Sequence, residues 1–151
     1  MKKPFEFAVS LRVVHPTMDP DLICKSLDWE AEYRWKAGAP RQTPKGTPLE
    51  GHYRSSYCSF EILSGDDGEL AHCLRAAVER LEKYADFLRQ MRADGGKIQF
   101  YVFWYPNGDM GETFSVDLLS RMAALGIDLG LNVYDDRHAE TDPKPAADCG
   151  D

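Results

Sequence analysis

The chain is 151 residues long, 43% hydrophobic and 28% charged, with a formal net charge of −7. That length fits one domain, which buries about 68–70% of its unfolded surface and needs no staples to hold a core. No apolar window reaches spanning length, and the opening Met-Lys-Lys-Pro-Phe-Glu-Phe lacks a signal's apolar run, so neither a membrane span nor a secretory signal is expected.

From Phe5 to Val14 the apolar residues Phe5, Phe7, Val9, Leu11 and Val13 alternate, the period of a half-buried strand. His15-Pro16 ends it. Asp19-Pro20 then reads as a helix N-cap followed by proline at the first helical position, and Leu22, Ile23 and Leu27 form the helix's apolar face. Trp29 to Trp35 alternates again and predicts a second strand. Lys36 to Gly51 holds three glycines and three prolines, which predicts a loop or a loosely paired ribbon. Tyr53 to Leu63 predicts a third strand. Its Cys58, Phe60 and Ile62 face the core, and its Tyr53, Ser55, Tyr57, Ser59 and Glu61 face is wetter. Ser64 to Gly68 reads as a turn with helix-capping residues.

Glu69 to Ala93 is the strongest element. Leu70, Leu74, Ala77, Val78, Leu81, Ala85, Leu88 and Met91 share one helical face, and Gly95-Gly96 supply the stop. Tyr84 and Phe87 sit off that stripe, which predicts a bend or a second covered side. Ile98 to Tyr105 is apolar on both faces and predicts a central strand flanked on both sides. Pro106 to Gly111 is a turn. Ser115 caps a helix carrying Val116, Leu118, Leu119, Met122 and Leu125, stopped by Gly126; Ile127, Leu129, Leu131 and Val133 alternate as a last strand. The order β-α-β-β-α-β-α-β defines an α+β fold: a ferredoxin-like βαββαβ unit with an added helix and strand, a mostly antiparallel sheet, and the long helix on one face. Residues 1–136 form this single domain, and 137–151 are expected to be a disordered acidic tail.

Charge is unevenly spread. Asp135 to Asp151 carries −4, leaving −3 for the body. Arg34 to Arg54 carries Arg34, Lys36, Arg41, Lys45 and Arg54 against Glu50 alone, a local +4 that leaves −11 elsewhere. Such a reversal marks a candidate site for an anion or an acidic partner. If the segment folds over the sheet, Trp35, Lys36, Arg41, Lys45, Arg54 and Tyr57 converge as a binding constellation, the indole supplying area beside the cations.

Catalytic signatures are missing. Cys24, Cys58, Cys73 and Cys149 form no C-x-x-C pair, so they read as small buried residues in a reducing, cytoplasmic compartment. His72 and Cys73 are helix neighbours pointing about 100° apart, which makes a poor nucleophile–base pair. There is no G-x-S-x-G elbow, H-E-x-x-H or glycine-rich phosphate loop; Pro44-Lys45-Gly46-Thr47 lacks a P-loop's leading glycines and following helix. His15 is expected to hold the strand–helix junction by hydrogen bonding. Asp66, Asp67 and Glu69 lack an EF-hand spacing, and Asp109 and Glu112 flank a plain turn. No enzyme activity, metal or cofactor is therefore expected. A charge of −7 opposes duplex DNA binding, and the aromatic strands lack an RNA-binding signature.

Several spaced motifs carry a resemblance. They are Ser10-Leu11-Arg12-Val13-Val14-His15-Pro16, Asp19-Pro20 with Ile23, Trp35-Lys36-Ala37-Gly38, Arg41, and Lys45-Gly46. Tyr53-Arg54-Ser55-Ser56-Tyr57, Gly95-Gly96, and Leu125-Gly126-Ile127-Asp128-Leu129 through Val133-Tyr134 complete them. Together, from Phe5 to Asp135, they resemble an uncharacterised bacterial family, the domain of unknown function DUF4279. Cys58 departs from the pattern, standing where a large aromatic is expected. The resemblance implies no known reaction and points toward small bacterial proteins of the immunity-like or accessory binding kind. The expected function is thus a non-enzymatic binding protein, of immunity or inhibitor type, with a basic protein partner steered by the acidic surface. The alternative is a domain binding a small anion through the basic 34–54 segment. A homodimer through the last strand's edge is the other expected partnership.

Overall fold

The computed structural model describes residues 5–66, 69–106 and 111–134. The 137–151 tail, with His138 and Cys149, lies outside the described residues. Strand β1 (Phe5–His15) leads into helix α1 (Pro20–Leu27), then β2 (Tyr33–Trp35), β3 (Pro40–Gln42), β4 (Pro48–His52) and β5 (Ser56–Asp66). Helix α2 (Leu70–Leu81), a 3-10 turn (Glu82–Tyr84), α3 (Ala85–Ala93), β6 (Lys97–Pro106), α4 (Val116–Leu125) and β7 (Asp128–Val133) follow. The fold is α+β.

Five strands form one mixed sheet in the order β2-β5-β1-β6-β7, and β3 and β4 form a separate ribbon. The pairs β1–β5, β1–β6 and β2–β5 are antiparallel; β6–β7 is parallel. Phe7, Val9, Leu11 and Val13 of β1 are at most 2% exposed, as their alternation requires. They join Cys58, Phe60, Ile98, Phe100 and Val102 in one cluster with Leu27 of α1, Leu74 and Leu81 of α2, Leu88 of α3 and Met122 of α4. Since helices and strands share that cluster, the helices lie on one face of the sheet. Among the described residues, no helix covers the other.

Local chemistry sets the ends of the elements as expected. Asp19 accepts from the Asp21 amide at 2.9 Å with Pro20 at the first helical position, and Ser115 accepts from the Leu118 amide at 3.1 Å. Gly126 closes α4 in the left-handed region at φ 72°. His15 Nδ1 accepts from the Thr17 and Met18 amides at 3.1 and 2.8 Å, so the imidazole does hold the strand–helix junction. At the end of α3 the backbone passes so close that a Cβ on Gly96 would stand 2.7 Å from the Met91 carbonyl oxygen.

Several boundaries differ from the sequence reading. The second strand covers only Tyr33–Trp35, because Asp28 turns the chain through the left-handed region after α1. Trp29 instead packs on Phe60, with the Arg80 guanidinium over its ring at 3.8 Å. The Lys36–Gly51 segment is the paired form of its two expected forms, a ribbon turning at Thr43–Thr47. The third strand starts at Ser56 and runs through Ser64 to Asp66, where a turn was expected. Ile62 is only half-buried because the β1 register jumps from Leu63 to Glu61, a bulge that leaves it unpaired. Ser59, on the face expected to be wetter, is buried. The long helix breaks at the 3-10 turn, where Tyr84 signalled a bend, and keeps Leu81 and Leu88 fully buried on either side. On β7, Leu131 is 45% and Val133 57% exposed, so that strand's apolar stripe is covered over its first half only.

Candidate functional site

The uncovered sheet face collects a second set of side chains, opposite to the core by strand alternation. Register places Trp35, Tyr57 and Val14 in one row, and Tyr33, Ser59, Arg12, Gln99 and Asp128 in the next. Glu61, Ser10, Tyr101 and Gly130 follow, then Ala8, Phe103 and Asn132, then Glu6 and Tyr105. Ile98 to Tyr105 is therefore interior by pairing, but its Tyr101 and Phe103 face is half-buried and free of helices.

At the β2 end, the Trp35 indole is stacked between Tyr53 and Tyr57, with ring centroids 4.8 and 4.3 Å away. The Tyr53 hydroxyl bonds both the amide and the carbonyl of Gln42, tying the β3–β4 ribbon to this stack. Ser56, fully buried, accepts from the Ala37 amide at 3.0 Å. Of the residues proposed to converge, Trp35 and Tyr57 touch directly. Lys36 follows Trp35 but pairs with Asp19 at 3.6 Å, and Arg34 meets Asp21 at 3.4 Å and Glu30 at 3.0 Å. Part of the local positive surplus is thus matched by acids on and beside α1. Arg41 extends along β3 against Gly51, and Lys45 lies in the exposed ribbon turn. Neither forms an ion pair among the described residues. Arg54 is exposed in the link between β4 and β5.

At the β7 end, the Arg12 guanidinium lies 3.7 Å from the Tyr101 ring centroid and 5.7 Å from that of Phe103. Arg12 is only 8% exposed, and its Nε and Nη1 have no hydrogen-bond partner. Ser10 Oγ, on the same face of β1, is also buried and unpartnered. Tyr134 stacks on Phe103 and Tyr105, with centroids at 6.0 and 5.0 Å, and its hydroxyl accepts from Asn132 Nδ2. Burial first, then the neighbouring Tyr105 and Tyr101, hold the Tyr134 phenol above its usual range. Gly130 leaves room for Tyr101, whose Cδ2 would stand 3.4 Å from a Cβ there. Sequence reasoning did not single out Arg12 as a site residue. The available signal was an arginine at an even position of a strand whose odd positions are apolar.

The Cys58 and Cys73 thiols are poor nucleophiles. Cys24, Cys58 and Cys73 are buried and free. Burial pushes the Cys58 thiol up, helped by Cys24, and pushes Cys73 up, helped by Glu69. Among the described residues no cluster of metal-ligating side chains occurs. No helix among them is long and apolar enough to cross a membrane. A shallow hollow of about 390 Å³ lies on the helix side, lined in part by Arg92, Leu119 and Met122. Its Arg92 is already bound to Asp128 and the Gly126 carbonyl, so the chemistry lies elsewhere.

No curated protein and no solved structure matches the chain. A family model described as a domain of unknown function, DUF4279, matches residues 5–136. That match runs from the first strand past the last, including both aromatic clusters and Arg12, and the chain belongs to the DUF4279 family.

Proposed function

We propose that this is a non-enzymatic binding protein that engages a basic protein partner through its helix-free sheet face, in the manner of an immunity or inhibitor protein. One observation carries the reading: Trp35, Tyr57, Tyr33, Tyr101, Phe103, Tyr105 and Tyr134 share a face that no helix covers among the described residues. Tyrosine and tryptophan supply large, rigid area with a polar tip, the composition of recognition surfaces. Glu6 and Glu61 on the same face, in a chain of −7, favour a partner whose lysines and arginines stack on the rings.

The sheet itself we read as a ferredoxin-like unit extended by α4 and β7. The order β2-β5-β1-β6 with every pair antiparallel supports this. A bacterial cytoplasm suits the buried free thiols. The exposed Leu131 and Val133 on edge strand β7 support a homodimer as a second assembly mode.

Affinity capture with tagged protein across a salt series tests the main reading. Wild type is expected to retain a basic partner at low salt and release it at high salt. A Tyr33→Ser/Tyr105→Ser variant, altering two exposed rings, is expected not to retain it. No partner at any salt, or equal retention by the variant, overturns the proposal. The anion reading, with Trp35, Lys36, Arg41, Lys45, Arg54 and Tyr57, keeps support from Arg41 and Lys45, which form no ion pair among the described residues. Thermal-shift titration with phosphate and carboxylates, compared with Lys45→Ala and Arg54→Ala, tests it.

A further inference from the structure

We propose that Arg12 and Ser10 form a carboxylate-binding site at the centre of the uncovered sheet face, with Tyr101 and Phe103 as its walls. An arginine side chain supplies N–H donors in a planar fork and has no acceptor of its own. Buried donors of this kind are almost always paired, and a buried charge usually has a counter-ion. Here Arg12 is 8% exposed, yet Nε and Nη1 have no partner, and neither has the buried Ser10 Oγ. All three atoms belong to the same face of β1, and both residues contact or oppose Tyr101: Arg12 by stacking and Ser10 by strand register. The unused donors therefore lie on one strand face, two residues apart, beside the strand that carries Tyr101.

Their chemistry selects the ligand. A guanidinium edge and a hydroxyl suit a carboxylate. Glu61 stands opposite Ser10 in the register, which disfavours a doubly charged anion such as phosphate at the same spot. Tyr101, Phe103 and the Tyr105–Tyr134 stack favour an acid group borne on a planar or apolar body. Because Nε and Nη1 have no exposed surface, entry displaces a covering side chain, so binding follows a ring movement. The site is independent of the protein-partner reading. It takes a carboxylate either from a free acid or from an acidic side chain of a bound protein.

The test is a titration of the full chain followed by the Arg12 Nε–H signal and by the backbone amide signals of Tyr101 and Phe103, which also report in the Arg12 variants, in nitrogen–proton NMR, with sodium benzoate, a short lysine-flanked glutamate peptide, inorganic phosphate and sodium chloride. A saturable shift with benzoate assigns a free-acid site; a shift with the peptide alone assigns a protein-borne carboxylate. In either case Arg12→Lys is expected to weaken binding about tenfold, since it keeps the charge and loses the fork. Arg12→Met is expected to abolish it. Should Arg12→Met fail to fold, Ser10→Ala, expected to weaken binding several-fold, replaces it. No saturable shift with any carboxylate, or shifts matched by phosphate and chloride, overturns the proposal. A partner protein captured equally well by Arg12→Met and lost by Tyr33→Ser/Tyr105→Ser would sink this site while leaving the partner reading intact.

Discussion

Replacing Arg12 by methionine is expected to make the folded protein more stable. The wild-type guanidinium buries Nε and Nη1 without partners. An unsatisfied buried donor costs about 1–3 kcal/mol, so two nitrogens cost roughly 2–6 kcal/mol. The stack on Tyr101, at 3.7 Å from the ring centroid, returns about 2 kcal/mol in a desolvated setting. Methionine keeps an unbranched stem of similar reach, and its sulfur on the ring returns about 0.3–1.5 kcal/mol. The balance favours Arg12→Met by roughly 0.3–5.5 kcal/mol, a span that brackets the ~1–4 kcal/mol seen when buried ionic groups give way to apolar ones. At about 2–4 °C per kcal/mol for a chain of this size, the melting temperature rises by several degrees. Thermal melts and urea titrations of wild type, Arg12→Met and Arg12→Ala measure it. The alanine variant also loses the stem packed on Tyr101 and is expected to gain less or to fall below wild type. A drop of several degrees in Arg12→Met would refute the reasoning. It would mean that the guanidinium holds the sheet face together instead of standing in reserve for a ligand.

Gly96→Ala forces a Cβ to within 2.7 Å of the Met91 carbonyl and 3.2 Å of the Val14 carbonyl, so the α3–β6 junction must shift; about 1–3 kcal/mol of stability is lost, read as a lower melting temperature. Trp35→Ala removes both ring contacts of the Tyr53–Trp35–Tyr57 stack, worth about 0.5–1.5 kcal/mol each, and the near-ultraviolet dichroism of that stack disappears while the far-ultraviolet spectrum is kept. Stability falls on the alkaline side. The thiols of Cys58 and Cys73 and the phenol of Tyr134 are all pushed up, above the ordinary values of 9.0 and 10.0, so the native state binds protons more tightly than the unfolded chain. Their contribution is complete below pH of about 9 and is lost as pH rises through and beyond those values; a urea midpoint that stays level from about pH 8 to 10.5 contradicts this.

Much of the architecture was legible because period-two and helical patterns are carried by burial. The β1 alternation, the α2–α3 stripe and the caps at Asp19, Ser115 and Gly126 each follow from local chemistry, and the structure agrees with them. Boundaries set by tertiary pairing were not legible. Alternation from Trp29 suited a strand, but pairing with β5 begins at Tyr33. The bulge that displaces Ile62 depends on two strands at once. The charge surplus from Arg34 to Arg54 was visible, but the pairing of its Arg34 and Lys36 with Asp19, Asp21 and Glu30 required α1 to lie beside β2.

The Arg12 cluster shows why the candidate site was the hardest part to read. In sequence, Arg12 sits between Leu11 and Val13, both fully buried, and its polarity alone says only that it faces away from the core. A lone arginine on such a strand usually reaches water along its stem. Here Tyr101 comes from β6, nearly ninety positions later in the chain, and the ring blocks that route. Gly130 of β7 gives the ring its room, and Ser59 of β5 lies beside Arg12 in place of an acid. Three strands thus conspire to bury a cation and withhold a counter-charge from it, an arrangement that costs stability at a place where packing offers cheaper residues. Selection for folding alone favours methionine or leucine at that position. The retention of arginine in this chain is accounted for by what it would bind.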